Sequence, residues 1–161
     1  MSKALSMLCF IVLLTIEFSQ QGTIACSFGW NEFDGRCFKY VATAMTWADA
    51  EAHCVSAGAN LVSIHDERQY TFIKELIRTY DIAQKDTWIG LSDQYKEGTW
   101  FWTDGSRVSY TMWATGQPDH TNWVGRGREH CVGTYYRNNA LWNDFLCSHY
   151  HPFICVMRDC K

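Results

Sequence analysis

The spacing of apolar residues in the first half of the chain predicts two helices. Thr46 can cap the first helix with its hydroxyl. Trp47, Ala50 and Cys54 then recur at helical spacing, and Gly58 is suited to end the helix.

The second helix is predicted from Asp66 to Tyr80. Asp66 can act as its N-cap, and Gln69 stands where its side chain can reach back over the first turn. The buried stripe of this helix is predicted to consist of Phe72, Ile73, Leu76 and Ile77.

Beyond Asp86 the pattern changes to short β segments that are divided by Gly, Asp and Asn. Strands are predicted at 88–91, 99–102, 131–136 and 153–156, and a hairpin turns at Asp34-Gly35 near the start of the domain. Regular structure is not predicted between Asp104 and Trp123, and loops of that length in compact domains tend to be functional. Helices followed by strands and long loops indicate an α+β domain.

Composition narrows the class of protein. A length of 161 residues allows one domain and a targeting segment, and 47% hydrophobic against 19% charged residues indicates a globular chain. The formal net charge of −3 gives no basic footprint, so we do not expect a nucleic-acid partner.

Residues 1–25 have the pattern of a secretory signal peptide. Lys3 precedes an apolar run from Leu8 to Ile16, which is shorter than the roughly 20 residues needed to span a bilayer. Cleavage is expected after Ala25, with Gly22 as the second choice, which leaves residues 26–161 as the mature domain. A signal anchor is the alternative, but we expect a secreted protein without membrane insertion.

Secretion changes how the eight cysteines are interpreted. Cys9 would leave with the signal peptide, so an odd number of cysteines would remain in an oxidising compartment. Spacing alone does not fix how these cysteines pair.

The stretch from Gln117 to Cys147 is rich in side-chain oxygen. Calcium takes six to eight oxygen ligands from carboxylates, amides and carbonyls. Each of these residues alone is better explained as a turn former, but their grouping around two cysteines favours a metal site. The five candidate ligands are Gln117, Asp119, Glu129, Asn143 and Asp144.

Three motifs in this stretch resemble those of the C-type lectin carbohydrate-recognition domain. They are Gln117-Pro118-Asp119, a glutamate two residues before Cys131, and Trp142-Asn143-Asp144 three residues before Cys147. The run Trp88-Ile89-Gly90-Leu91 and the early cysteines also match, so the resemblance covers Cys26 to Cys155. It implies two helices packed on small antiparallel sheets with a long calcium-binding loop. The implied disulfides are Cys26–Cys37, Cys54–Cys155 and Cys131–Cys147.

The resemblance also implies a function for these residues. The five candidate ligands would hold one calcium ion that also binds two vicinal hydroxyls of a sugar, and Pro118 would form a cis peptide bond. Amide before acid is the galactose-type order, as in fish and venom galactose-binding lectins, whereas the reverse order accompanies mannose. Trp123 would pack on the apolar face of the sugar, although a core aromatic is the alternative. The implied sugar-binding residues are Gln117, Asp119, Trp123, Glu129 and Asn143.

Many members of the family bind a second calcium ion, whose ligands would correspond here to Asp93, Glu97, His120 and His130. Neutral imidazole is a poor calcium ligand. We therefore predict one functional calcium site, with the second site absent or weak. A transition metal held by the two histidines and Glu129 is a weaker alternative.

Cys160 is left over once the implied disulfides are assigned. A leftover cysteine in a secreted protein suggests an intermolecular bridge. A disulfide-linked homodimer is therefore one expectation, and a capped or free thiol is the other.

Three classes of function are compatible with this domain to different degrees. A secreted, calcium-dependent lectin for galactose or N-acetylgalactosamine glycans is favoured because the full ligand set is present. The alternative is an interaction protein on the same fold, of the kind that binds clotting factors or ice. An enzyme is not expected, since the chain lacks H-E-x-x-H, G-x-S-x-G and a phosphate-binding loop.

Overall fold

The structure, a computed structural model, describes residues 26–135 and 140–157. Within these ranges, two helices lie between residues 47 and 80, and short strands dominate the rest. The elements are β1 (Asn31–Phe33), β2 (Arg36–Met45), α1 (Trp47–Ser56), β3 (Asn60–Leu61), α2 (Glu67–Tyr80), β4 (Thr87–Ser92), β5 (Phe101–Trp102), β6 (Asn122–Trp123), β7 (Gly127–Arg128), β8 (Cys131–Tyr135), β9 (Leu141–Phe145) and β10 (His151–Met157).

The main sheet has the strand order β1-β2-β10-β4-β8-β9, with β3 beside β10 and β5 beside β4. Strands β10 and β4 are parallel and meet at Phe153 and Trp88, whereas the other paired strands in the described ranges are antiparallel. Strands β6 and β7 form a separate two-stranded ribbon. The predicted α+β, C-type lectin-like fold is confirmed, with β4 and β10 as a parallel pair and an isolated parallel bridge from Trp113 to Trp142 of β9.

Both helices begin where the sequence predicts. The Thr46 hydroxyl accepts a hydrogen bond from Asp49 N–H at 3.3 Å. The Asp66 carboxylate accepts one from Gln69 N–H at 2.8 Å, and the Gln69 amide oxygen accepts from His65 N–H at 3.2 Å. These bonds satisfy N–H groups that a helix end leaves without intrahelical partners.

Buried aromatic side chains fix the second half of the chain in place. Trp142 is fully buried and packs edge-to-face on Tyr70 and Trp102, with ring centroids 5.8 Å apart in each pair. Aromatic pairs in this geometry stabilise beyond the area they bury. Because Trp142 directly precedes Asn143 and Asp144, the core also fixes the position of those two polar residues.

Three disulfides tie the domain together: Cys26–Cys37, Cys54–Cys155 and Cys131–Cys147. They are the pairings implied by the family resemblance. Cys54–Cys155 joins residues 101 positions apart, and closing a loop of about 100 residues stabilises a domain by about 4.7 kcal/mol in the chain-entropy treatment. Cys160, the predicted signal peptide and the predicted strand residue Tyr136 lie outside the described residues.

The structure departs from the predicted elements in the second half of the chain. Strand β5 begins at Phe101 because Thr99 N–H is used in a turn, donating to Lys96 O at 2.9 Å. Strand β9, which the sequence did not predict, places Asn143 and Asp144 in the main sheet. None of the helices in the described ranges has the length and apolar character needed to cross a bilayer.

Candidate functional site

Three carboxylates converge where the long loop meets the main sheet. The group, called here the Asp119 cluster, consists of Asp119, Glu129 and Asp144, whose ligand atoms all lie within 4.8 Å of one another. Asp119 is exposed, whereas Glu129 is 7% exposed and Asp144 is fully buried. Carboxylate oxygens at this spacing can bind one cation together.

Hydrogen bonds from the loop itself hold the Asp119 cluster together. The Asp144 carboxylate accepts from Asp119 N–H at 3.2 Å and from His120 N–H at 2.9 Å, which fixes the loop to β9. Asp119 in turn accepts from the Thr121 N–H at 3.0 Å and hydroxyl at 2.6 Å. The Gln117 amide oxygen accepts from Asp119 N–H at 2.9 Å.

One further feature of this site fits a bound calcium ion. The amide oxygen of Asn143 is buried and has no hydrogen-bond partner among the described residues, while its amide nitrogen donates to Asp144 O at 2.8 Å. An unsatisfied buried oxygen is costly, and an oxygen-seeking cation would satisfy it. The residues present therefore fit calcium. The Gln117–Pro118 peptide bond is cis, as the family resemblance implies.

The carboxylates of the Asp119 cluster repel one another when they are ionised. Hydrogen bonding by Thr121 holds the pKa of Asp119 below its usual value, so this carboxylate stays ionised. Burial raises the pKa of Glu129, with the charges of Asp144 and Asp119 adding to the shift. Burial also raises the pKa of Asp144. Burial and the neighbouring charges thus disfavour the anionic forms of Glu129 and Asp144 in the absence of a compensating positive charge.

Trp123 stands beside the Asp119 cluster and is 47% exposed, which is not the environment of a core aromatic. Its indole N–H donates to a Glu129 carboxylate oxygen at 2.9 Å. The ring is therefore held next to the cluster with part of its surface open to solvent.

A second acidic group lies next to the first and is paired differently. Asp93 is fully buried and accepts from Gly98 N–H at 2.7 Å, and one of its oxygens is 2.8 Å from His130 Nδ1. His120 Nδ1 lies 3.5 Å from the other Asp93 oxygen and 3.7 Å from Asp144. This group, called here the Asp93 network, comprises Asp93, Glu97, His120, Arg128 and His130.

Glu97 forms an ion pair with Arg128, a partner that the sequence gives no signal to identify because the two residues are far apart along the chain. Thr121 is likewise found only from the structure, although its position two residues after Asp119 suits a hydrogen bond of this local type. Side chains of the protein thus occupy the positions that would correspond to a second calcium site.

An α+β domain tied by disulfides, with an acidic site between a long loop and a central sheet, defines the class of C-type lectin-like domains. The sequence profile of the Lectin C-type domain matches residues 43–157. The chain belongs to the C-type lectin family, whose members are binding domains and not enzymes.

Known proteins similar to this chain include two fish lectins. The galactose-specific lectin nattectin of Thalassophryne nattereri is 41% identical over 139 residues, covering 86% of this chain and 84% of nattectin. The lactose-binding lectin l-2 of Anguilla japonica is 36% identical, covering 97% of this chain and 96% of the relative.

Among solved structures, a Ca2+-dependent type II antifreeze protein in its Ca2+-free form superposes with a TM-score of 0.73. The two proteins are 36% identical, and the match covers 81% of this chain and 98% of the antifreeze protein. Sequence and structure therefore place the chain close to both lectins and antifreeze proteins.

Proposed function

We propose that this protein is a calcium-dependent lectin that binds galactose or N-acetylgalactosamine glycans at a single calcium site. The observation that carries the proposal is the Asp119 cluster, in which three carboxylates converge and, among the described residues, form no ion pair with a lysine or arginine. The half-exposed Trp123 beside it supplies the flat apolar surface that a sugar ring requires.

Five side chains would hold the ion: Gln117, Asp119, Glu129, Asn143 and Asp144. The ion, when bound, would coordinate two sugar hydroxyls and relieve the repulsion within the Asp119 cluster. The carboxylates of Asp119 and Glu129 would accept hydrogen bonds from sugar hydroxyls, while the amides of Gln117 and Asn143 would donate them. Asp144 would chiefly hold the long loop against β9, since its two oxygens already accept hydrogen bonds from backbone N–H groups of the loop.

The order of Gln117 and Asp119 supports galactose over mannose. An amide can donate, whereas an ionised carboxylate can only accept, so exchanging them inverts the pattern offered to a pair of hydroxyls. The galactose-specific and lactose-binding relatives support the same choice.

The first experiment is retention on immobilised galactose and mannose, each with calcium and with a chelator. We expect retention on galactose with calcium only. The double variant Gln117→Glu/Asp119→Asn should shift the preference from galactose to mannose. The ratio of the two affinities should change by at least about tenfold, which corresponds to roughly 1.4 kcal/mol. Glu75→Gln, an exposed carboxylate on α2 paired with Arg78, is the matched control. Retention of the wild type on mannose would contradict the specificity, and chelator-resistant retention would contradict the role of calcium.

A second candidate function is an interaction or ice-binding protein on the same fold, without sugar binding. The structural similarity to a type II antifreeze protein supports this second candidate. Thermal hysteresis by the purified protein, together with failure to bind either sugar, would establish this candidate in place of the lectin.

Secretion and dimer formation extend the proposal. Disulfides form in oxidising compartments, which supports secretion after removal of residues 1–25. A homodimer linked through Cys160 would add avidity to a shallow sugar site. Non-reducing electrophoresis of the secreted protein distinguishes the two states, since a monomer band alone would rule out the covalent dimer.

A further inference from the structure

An open pocket of about 480 Å³ lies beside the β6–β7 ribbon, on the side of the Cys131–Cys147 disulfide. The pocket, called here the Arg126 pocket, is lined by polar and cationic side chains that include Gln94, Arg126, Arg128, His130 and Ser148. Its lining differs from the Asp119 cluster in charge, since it contains no acidic side chain among the described residues.

The positive charge of the Arg126 pocket is only partly neutralised. Arg128 forms an ion pair with Glu97, and both side chains remain nearly half exposed. Arg126 is exposed and has no ion pair or side-chain hydrogen bond with any residue in the described ranges. In a protein with a net charge of −3, an unpaired guanidinium next to a second one is a local positive site.

The backbone joins this pocket directly to the proposed sugar site. Arg126 N–H donates to Trp123 O at 2.8 Å, and Gly127 is the strand partner of Trp123 in the ribbon. Between β7 and β8, Glu129 stands directly between Arg128 and His130, which both line the pocket. The Arg126 pocket is therefore contiguous along the backbone with Trp123 and Glu129, the residues proposed to contact the sugar.

From this arrangement we infer that the Arg126 pocket is an anionic subsite, which binds a sulfate or carboxylate substituent on a galactose-type glycan. Guanidinium groups present forked N–H donors that match the oxygens of sulfate and carboxylate. Ser148 adds a neutral donor at the same place, whereas the Gln94 amide nitrogen already donates to the sulfurs of Cys131 and Cys147. Arg126 is the specificity-determining residue of the subsite, because Arg128 is already engaged by Glu97.

The inference rests on the proposed galactose-binding function and makes it more specific. Exposed ion pairs contribute modestly in water, so an anionic glycan should bind roughly threefold to fivefold more tightly than its neutral counterpart. The preference should shrink as salt is raised, because exposed charges are screened.

The test compares calorimetric affinities for lactose, lactose sulfated on its galactose and sialylated lactose, all in calcium and at low and high salt. Arg126→Gln should remove the preference for the charged sugars and leave lactose affinity unchanged, whereas Arg126→Lys should retain part of the preference. Arg78→Gln on α2 makes the same charge change outside the pocket and should leave the preference intact.

Each outcome either supports or overturns the anionic subsite. A preference for a charged sugar that is lost in Arg126→Gln supports the subsite. The ligand is then sulfate if only the sulfated sugar is preferred, carboxylate if only the sialylated sugar is preferred, and either group if both are. Equal affinity for lactose and the charged sugars, or a preference that survives Arg126→Gln, overturns the subsite while the galactose-binding proposal stands. Failure to bind any of the three sugars overturns both.

Discussion

Two acidic groups lie side by side in this protein and are compensated in different ways. In the Asp93 network, Asp93 meets His130 and His120, and Glu97 meets Arg128. In the Asp119 cluster, the donors within the described ranges are backbone N–H groups, a hydroxyl, a side-chain amide and an indole, none of which carries a charge. His120 reaches the cluster only at its edge, 3.7 Å from Asp144.

The difference explains why similar acidic side chains lead to different expectations for calcium. In the Asp93 network the Arg128 guanidinium offsets the charge of Glu97, and the imidazoles of His130 and His120 stand beside Asp93 where calcium would need oxygen ligands. Uncharged donors leave the total negative charge in place, so an external cation would add a large favourable interaction. We therefore expect calcium at the Asp119 cluster and not at the Asp93 network.

The largest predicted effect comes from removing the internal compensation of Asp93. His130→Asp would place a second carboxylate against a buried one, which should lower the free energy of unfolding in chelator by about 3 kcal/mol. Urea unfolding monitored by tryptophan fluorescence measures this loss. His130→Asn, whose amide can still donate to Asp93, should lose much less, and equal stability of His130→Asp and the wild type would contradict the role of the Asp93 network.

The second prediction compares one glutamate from each group. At a calcium concentration of about 100 times Kd, binding should raise the free energy of unfolding by about 2.7 kcal/mol. Glu129→Gln should abolish most of this gain because it removes a ligand charge, while the amide can still accept from Trp123. Glu97→Gln, made in the Asp93 network, should retain the gain. Unfolding with and without calcium checks both variants, and an equal loss in the two would contradict the assignment.

The smallest predicted effect concerns His151, a histidine outside both acidic groups. Its titration should make the free energy of unfolding depend on pH. Burial, with a contribution from His149, lowers the pKa of His151 to about 4. His151 packs on Trp88 with ring centroids 4.5 Å apart. Because the unfolded chain binds the proton more tightly, the contribution of His151 to stability should be constant above about pH 7 and fall as the pH drops from about 6.5 toward 4.

Allowing for its partial exposure, His151 should contribute about 1–2 kcal/mol to this fall. His151→Phe keeps a ring against Trp88 and removes the titration, so its unfolding should depend less on pH over that range. An unchanged pH profile in His151→Phe would show that other groups cause the fall.

The sequence by itself predicted the parts of the fold that depend on residues close together along the chain. The caps at Thr46 and Asp66 and the turn at Asp34-Gly35 all form as expected, the turn with φ of 50° and 74°. Each depends on hydrogen bonds or backbone preferences that span three or four residues. The family motifs added the disulfide pairings, which spacing alone left open.

Only the tertiary structure decided how charge is distributed around the candidate site. His130 and Asp93 are 37 positions apart in sequence, and Arg128 and Glu97 are 31 positions apart. The family resemblance placed Asp93 and His130 at one site, but it did not identify which side chains pair there or that Arg128 takes part. These contacts form only after β4 and β8 align in the sheet and the long loop packs on β9. Electrostatic compensation depends on distance in space, and so the sequence could group the residues but not show how they pair.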